Sequence, residues 1–490
     1  MVSRSVARTN TCNQQASPDQ SVRCLFLLMQ SPPLALILAE RALGVNTQSL
    51  SPELIASAKI AISDTIGVTL LGASSDAAQI ARQAASITQK HGPATILGTT
   101  LRASEPDAAF ANGIAGHAFD YDDFTELFGG HPSIPILPGL LAVGETTDAT
   151  GIELIRAYIM GVEVETRLAL GVHFQHYEKG WHPTATLGVF GAAAGCAYLL
   201  NLDAAQTAQA IAIAASNASG IKANFGTMTK PLHIGQCARS GVLAARLAAK
   251  GFTANPHALE APQGFLDVYN GPGNYSIERI LDKWFDPPLV LSPGISLKQF
   301  PCCGSTHPAI FAAIRLKEHQ RLNHGRIRSI EILTHPRRLP HTNQPLPQTS
   351  LESKFSIQYC VARALVDGQV TLADFENSAW EETNITRLLG ITQVGEHADM
   401  VKLESGTFGA QVNITLDNNE QISEQIDRGG GRGPDNPMTD TERRNKFVDC
   451  ANRTLPNAQV SRLFDTLEQL ERIQSISKLV ELARPEPNEH

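Results

Sequence analysis

Trp181-His-Pro-Thr-Ala-Thr-Leu-Gly-Val-Phe-Gly-Ala-Ala-Ala-Gly-Cys-Ala-Tyr-Leu-Leu200 contains no lysine, arginine or carboxylate. Its residues are small and apolar all round, so a helix here has no polar face and must be enclosed by other elements. The flanking sequence supplies them. Leu34 to Leu43 is apolar at helical spacing, and Ser51-Pro52-Glu53 offers an N-cap, a first-turn proline and an early acid. Thr150-Gly-Ile-Glu153 opens a further helix as a capping box, Asp203-Ala-Ala-Gln206 opens the next, and Gly235 to Lys250 is another, closed by Gly251. Residues 34–275 therefore read as a large all-helical domain.

The pattern changes near Pro272. Ile330, Ile332 and Thr334 alternate as in a strand, and Val412, Ile414 and Leu416 lead through Asp417-Asn418-Asn419 to Ile422 as a hairpin. Helices at about 306–319 and 355–367 intervene, so 276–434 reads as a smaller α+β domain. Gly429-Gly-Gly-Arg-Gly433-Pro434 is a linker, and Thr439-Asp-Thr-Glu442 caps a final helical segment, 435–490, that completes the first domain. The expected fold class is mainly α, with the α+β part inserted before the C-terminal helices.

Composition limits the function. The 490 residues are 42% hydrophobic and 18% charged, with a net charge of -8, a balance that argues against a general nucleic-acid binder. Eight scattered cysteines, with only Cys302 and Cys303 adjacent, form neither a disulfide framework nor a zinc or iron–sulfur spacing. The expectation is a reduced, cytoplasmic protein with no membrane span. Residues 1–33 form an N-terminal extension whose Arg4, Arg8 and Arg23 leave a mitochondrial presequence as the alternative.

Four stretches carry chemistry. The first is His117-Ala-Phe-Asp120-Tyr-Asp122-Asp123, followed by Gly129-Gly130-His131-Pro132. Imidazoles and carboxylates are the side chains best suited to moving protons near neutral pH. On a continuing helix, His117, Asp120 and Asp123 share a face and Asp122 lies off it. A solvated acidic turn and a metal site remain open at this level. The second stretch, Lys179-Gly-Trp-His182-Pro, opens an apolar helix. The third, Thr229-Lys230-Pro-Leu-His233-Ile-Gly235, puts a strongly hydrated lysine in an apolar loop, where a carboxylate ligand would satisfy it. The fourth runs from Lys298 through Cys302-Cys303-Gly304 to His307, with Lys298 and His307 as ligand contacts and the thiols as structural. Tyr359, on the helix after Lys354, is a further candidate. Bases, acids and lysines without a cofactor fingerprint suit proton chemistry beside the carboxylates of a small acid.

Those stretches, with Asp64-Thr-Ile-Gly67, resemble the MmgE/PrpD family in order and spacing over nearly all of residues 34–480. The resemblance implies a homodimer without metal or organic cofactor. It also implies a lyase acting on a citrate- or aconitate-like polycarboxylate, with decarboxylation of a cis-aconitate-type acid as the leading expectation. Dehydration of an alkylcitrate and epimerisation of an iminodisuccinate-type dicarboxylate are the alternatives. Carried over by motif, the catalytic set is Asp120, His131, His182, Lys230 and Lys298. Asp123, Thr125, His233, His307 and Tyr359 are added as candidate substrate contacts. Where the family's animal decarboxylases have a threonine after the acid pair, this chain has Phe124, then Thr125.

Overall fold

The computed structural model describes residues 31–486 apart from 47, 49, 90, 126, 401–408 and 428–431. Residues 1–30 of the expected N-terminal extension and residues 429–431 of the glycine linker therefore lie outside the described residues.

The enclosed helix is present in two pieces, Pro183–Thr186 and Gly188–Leu199, joined at Leu187. It is packed between Gly151–Glu178 and Thr229–Ala249, and glycines make the contacts possible. A Cβ on Gly191 would lie 2.5 Å from the carbonyl oxygen of Gly161, and one on Gly241 would lie 2.4 Å from Ala192. Thr229–Ala249 also crosses Glu105–His117 closely, because Gly113 and Gly235 face each other at the crossing. That crossing brings the first turn of one helix, with Lys230, against the end of the other, with His117.

Thr229–Ala249 starts earlier than the sequence reading placed it. Pro231 occupies the first turn, where a missing N–H costs nothing, so the helix runs through the stretch taken as a loop and His233 is helical. The Glu105–His117 helix ends sooner than the acid-cluster reading required, and Asp120 is left-handed with φ 54°. His117, Asp120 and Asp123 consequently do not share a helix face. Pro52–Gly72 is the one described helix long and apolar enough to cross a membrane, contrary to the expectation that no run would be; its apolar window is 67% buried among the protein's other helices.

A second core collects residues between Phe300 and Ile426. Its sheet has the order Thr392–Glu396, Ile327–Thr334, Ala410–Leu416, Gln421–Ile426, parallel in the first pair and antiparallel in the rest. Helices His307–His319 and Ile357–Asp367 pack beside it. The chain then returns: Thr439 caps Asp440–Ala451 through the expected capping box, Phe447 sits on Gly67, and Lys446 pairs with Asp64 at 2.7 Å.

Candidate active site

The turn after Glu105–His117 is fixed from three sides. Lys446 donates to the Tyr121 carbonyl at 3.0 Å while paired with Asp64, anchoring the turn to helix Asp440–Ala451. Phe124 and Ser296 exchange backbone hydrogen bonds at 2.9 Å, stitching the lead-in of the second core to the turn. Two residues beyond Ser296, Lys298 therefore enters beside Asp120.

Asp120 is the electrostatic centre. Its Oδ1 accepts from Lys230 Nζ at 2.6 Å and pairs with Lys298 Nζ at 3.0 Å, and Lys298 also donates to the Asp120 carbonyl at 2.6 Å. Burial alone would raise this carboxyl, but the charges of Lys230, Lys298 and His131 override it and hold the group well below the usual carboxylate range. Lys298, opposed by burial, is pushed above its ordinary value by Asp120 and Asp122. The trio of one carboxylate and two ammoniums has a net charge of about +1, an anion-seeking arrangement.

Asp122, which the helix-face argument set aside, is a hub. Its Oδ2 lies 2.8 Å from His117 Nδ1 and 3.0 Å from His131 Nδ1. His131 Nδ1 also approaches the Asp123 carbonyl at 2.7 Å. Both neighbours only accept, so Nδ1 carries the proton and Nε2 is left to exchange one. Nε2 faces Asp120 Oδ1 at 3.5 Å. Burial lowers His117 to about 4 and, with His117 and Lys230 as neighbours, takes His182 well below its usual value, so both are neutral at pH 7. His182 has its Nδ1 3.1 Å from His233 Nδ1, and its buried Nε2 has no hydrogen-bond partner among the described residues.

One cavity gathers Asp120, Thr125, His131, His182, Lys230 and Lys298 on its wall. Every residue carried over as catalytic is there, and so is Thr125. His233 stands behind His182. The other three are elsewhere among the described residues. The Asp123 carboxyl is buried against Ser133, whose amide and hydroxyl both donate to it, and burial raises it well above the usual range. His307 is buried with its ring edge-on to Phe300 and its Nε2 3.3 Å from the Cys302 carbonyl. Tyr359 donates to the Asp374 carbonyl and accepts from Arg363 Nε at 3.0 Å inside the second core. Tyr359 therefore takes the core position that is usual for an aromatic on a buried helix.

Phe124, Tyr177, Phe225, Cys303, Ser305, Arg338, His341 and Phe355 also line the cavity, and Tyr177, Arg338 and His341 lie outside the chemical stretches of the sequence. Phe225 and Phe355 each place a ring 5.1 Å from Lys230 Nζ, caging the ammonium in apolar surface. Burial raises the Cys303 thiol, so it is not an activated nucleophile. His117, Asp120, Asp122 and His131 offer donor atoms within 4.8 Å of one another, the grouping a metal would use. Lys230 and Lys298 already occupy Asp120, and two ammoniums beside that carboxylate oppose a dication.

Comparison with known proteins agrees with the motifs. The MmgE/PrpD N-terminal domain matches residues 37–278 and the MmgE/PrpD C-terminal domain residues 300–471. The chain is 30% identical to "Cis-aconitate decarboxylase" of Mus musculus over 458 residues, covering 90% of this chain and 91% of that protein. It is 29% identical to the Homo sapiens protein of the same name, covering 91% of this chain and 94% of the other. Identity to the Aspergillus terreus (strain NIH 2624 / FGSC A1156) "Cis-aconitate decarboxylase" is 24%, covering 90% and 94%. With matches to both domains and a relative of this similarity over nearly its whole length, the chain belongs to the MmgE/PrpD family.

Proposed function

We propose that the protein is a lyase that removes carbon dioxide from a cis-aconitate-type unsaturated polycarboxylate, using its own side chains for the acid–base work. The observation that carries this reading is the placement of His131 Nε2 3.5 Å from the carboxylate that both lysines share, within one cavity. One substrate carboxylate is held at the Lys230–Lys298 end. As the C–C bond to the departing carboxylate breaks, its electron pair moves onto the remaining unsaturated acid, and the lysines stabilise the charge that develops. His131, as the imidazolium oriented by Asp122, delivers a proton from Nε2 to carbon, so that one carboxylate and one proton become one C–H bond and carbon dioxide. His182 offers its Nε2 to a substrate carboxylate.

The names of the mouse, human and fungal relatives support this substrate class. Dehydration of a citrate-type acid is the second reading: neutral His131, with its proton fixed on Nδ1, presents Nε2 as a base for that reaction. Product analysis after incubation with cis-aconitate, citrate and 2-methylcitrate distinguishes the two. Carbon dioxide release from cis-aconitate supports the first reading, and alkene formation from a hydroxy acid with no carbon dioxide supports the second. The active species is proposed to be a homodimer, which sedimentation velocity would report as twice the chain mass.

A further inference from the structure

The cavity has two unlike walls. At one end, both lysines, Lys230 from a helix and Lys298 from the lead-in of the second core, are committed to Asp120, at 2.6 and 3.0 Å. A net charge of about +1 there suits one carboxylate, whereas a polycarboxylate brings at least two. The facing wall comes from the second core, where a short turn, Pro336–Arg338, runs into Leu339–Thr342. Two adjacent arginines diverge in this segment. Arg337 pairs with Glu178 at 2.8 Å and so ties the segment to the end of Gly151–Glu178. Arg338 lines the cavity, and its Nη1 donates to Ser305 Oγ at 3.3 Å.

Ser305 Oγ in turn lies 3.2 Å from His341 Nε2, and both residues also line the cavity. The reach of the guanidinium charge is visible in its neighbours. Burial, then Arg338, holds His341 down to about 3, and burial, then Arg338, lowers Lys222 to about 8. His341 is therefore neutral at pH 7, a hydrogen-bonding group rather than a second cation. Arginine keeps its charge in any such setting and presents parallel N–H donors that match the two oxygens of a carboxylate.

We propose that Arg338, supported by Ser305 and His341, is a second carboxylate anchor, so that the cavity selects acids with carboxylates at two ends, one on Lys230 and Lys298 and one on Arg338. The proposal rests on the polycarboxylate reading above and adds the residue that enforces it. Phe225 and Phe355 face the space near Lys230 with apolar surface, each ring 5.1 Å from its Nζ. Arg338 follows strand Ile327–Thr334 of the second core, Lys298 lies in the segment leading into that core, and Lys230 lies on helix Thr229–Ala249, so an acid spanning both ends bridges segments from both cores.

The test is calorimetric binding of two unreactive probes, propane-1,2,3-tricarboxylate and butanoate, to the full chain and to Arg338→Gln and Arg338→Lys. The anchor predicts that Arg338→Gln weakens the tricarboxylate at least tenfold and leaves butanoate within twofold, with Arg338→Lys between. Unchanged tricarboxylate affinity in Arg338→Gln, an equal loss for both probes, or no tricarboxylate binding to the unaltered protein would overturn it. Turnover of cis-aconitate by the same unaltered preparation is scored separately. Tight, Arg338-dependent tricarboxylate binding without any turnover would count against the lyase reading and support the anchor.

Discussion

Replacing Asp120 by asparagine tests the electrostatic centre of the site. The change is nearly isosteric, so what it removes is charge. Two buried ammoniums, 2.6 and 3.0 Å from the lost carboxylate oxygen, are left without their counter-ion. At an effective dielectric constant of about 20, each contact is worth roughly 6 kcal/mol before the desolvation cost is set against it. Measured losses on breaking buried pairs are about 3–5 kcal/mol, because water and side-chain movement relieve part of the strain. At about 2 °C per kcal/mol for a large domain, Tm should fall by roughly 6–10 °C in differential scanning calorimetry. The sign with pH follows from the depressed carboxyl. A folded-state value below the unfolded one contributes stability that is fully present at pH 7 and is lost only as pH falls through the folded value, so the deficit should persist through neutral pH. Lys298→Met leaves Asp120 paired with Lys230 and should cost less than Asp120→Asn. Adding Lys298→Met to Asp120→Asn should recover about half the lost stability by removing one stranded charge. If Asp120→Asn stays within 2 °C of the parent, or if the double variant is less stable than the single, the view that Asp120 holds the two lysines in place is wrong.

Other perturbations probe separate parts of the account. Asp122→Asn leaves His131 without its carboxylate, and kcat should fall about 100-fold or more with KM changed little, measured by steady-state kinetics. His117 and His176, both lowered to about 4 chiefly by burial, take up protons on unfolding between about pH 4 and 6.5. Stability should therefore fall as pH drops through that window, by up to about 1.4 kcal/mol per pH unit for each histidine, and urea titrations of His176→Asn should show a shallower slope. Phe225→Ala opens the cage around Lys230 and should lower kcat/KM roughly tenfold while Tm moves by only a few degrees, since Phe225 is half-buried at the cavity wall.

The fold was legible where periodicity and caps were strong. The capping boxes at Thr150, Asp203 and Thr439 and the hairpin around Asn418 stand where their residues indicate. The strand Thr392–Glu396 was not legible, because Thr-Gln-Val-Gly-Glu lacks an alternating apolar face and lies at the sheet edge, held by its pairing to Ile327–Thr334. The residues reaching the cavity from the helical wall were legible because charge or imidazole in apolar sequence needs a partner: Lys230, His131 and His182 all stand out that way. Asp122 was set aside only because the helix was carried past His117, and the left-handed Asp120 reverses which acid meets the imidazoles. Arg338 and His341 sit in an ordinary Arg- and Pro-containing segment. Nothing local marks them, and only the placement of the second core against the first puts them on the cavity.

The central claim is that this cavity decarboxylates an unsaturated polycarboxylate. Its most direct test is to incubate purified, folded protein with cis-aconitate labelled with carbon-13 in its carboxyl groups, in the presence of EDTA. Labelled carbon dioxide is followed by membrane-inlet mass spectrometry and the remaining acid by NMR. The account predicts one carbon dioxide per acid consumed, one solvent-derived hydrogen in the product, and loss of both signals in His131→Gln. Folded protein that releases no labelled carbon dioxide, or His131→Gln that releases it at the parent rate, would contradict it.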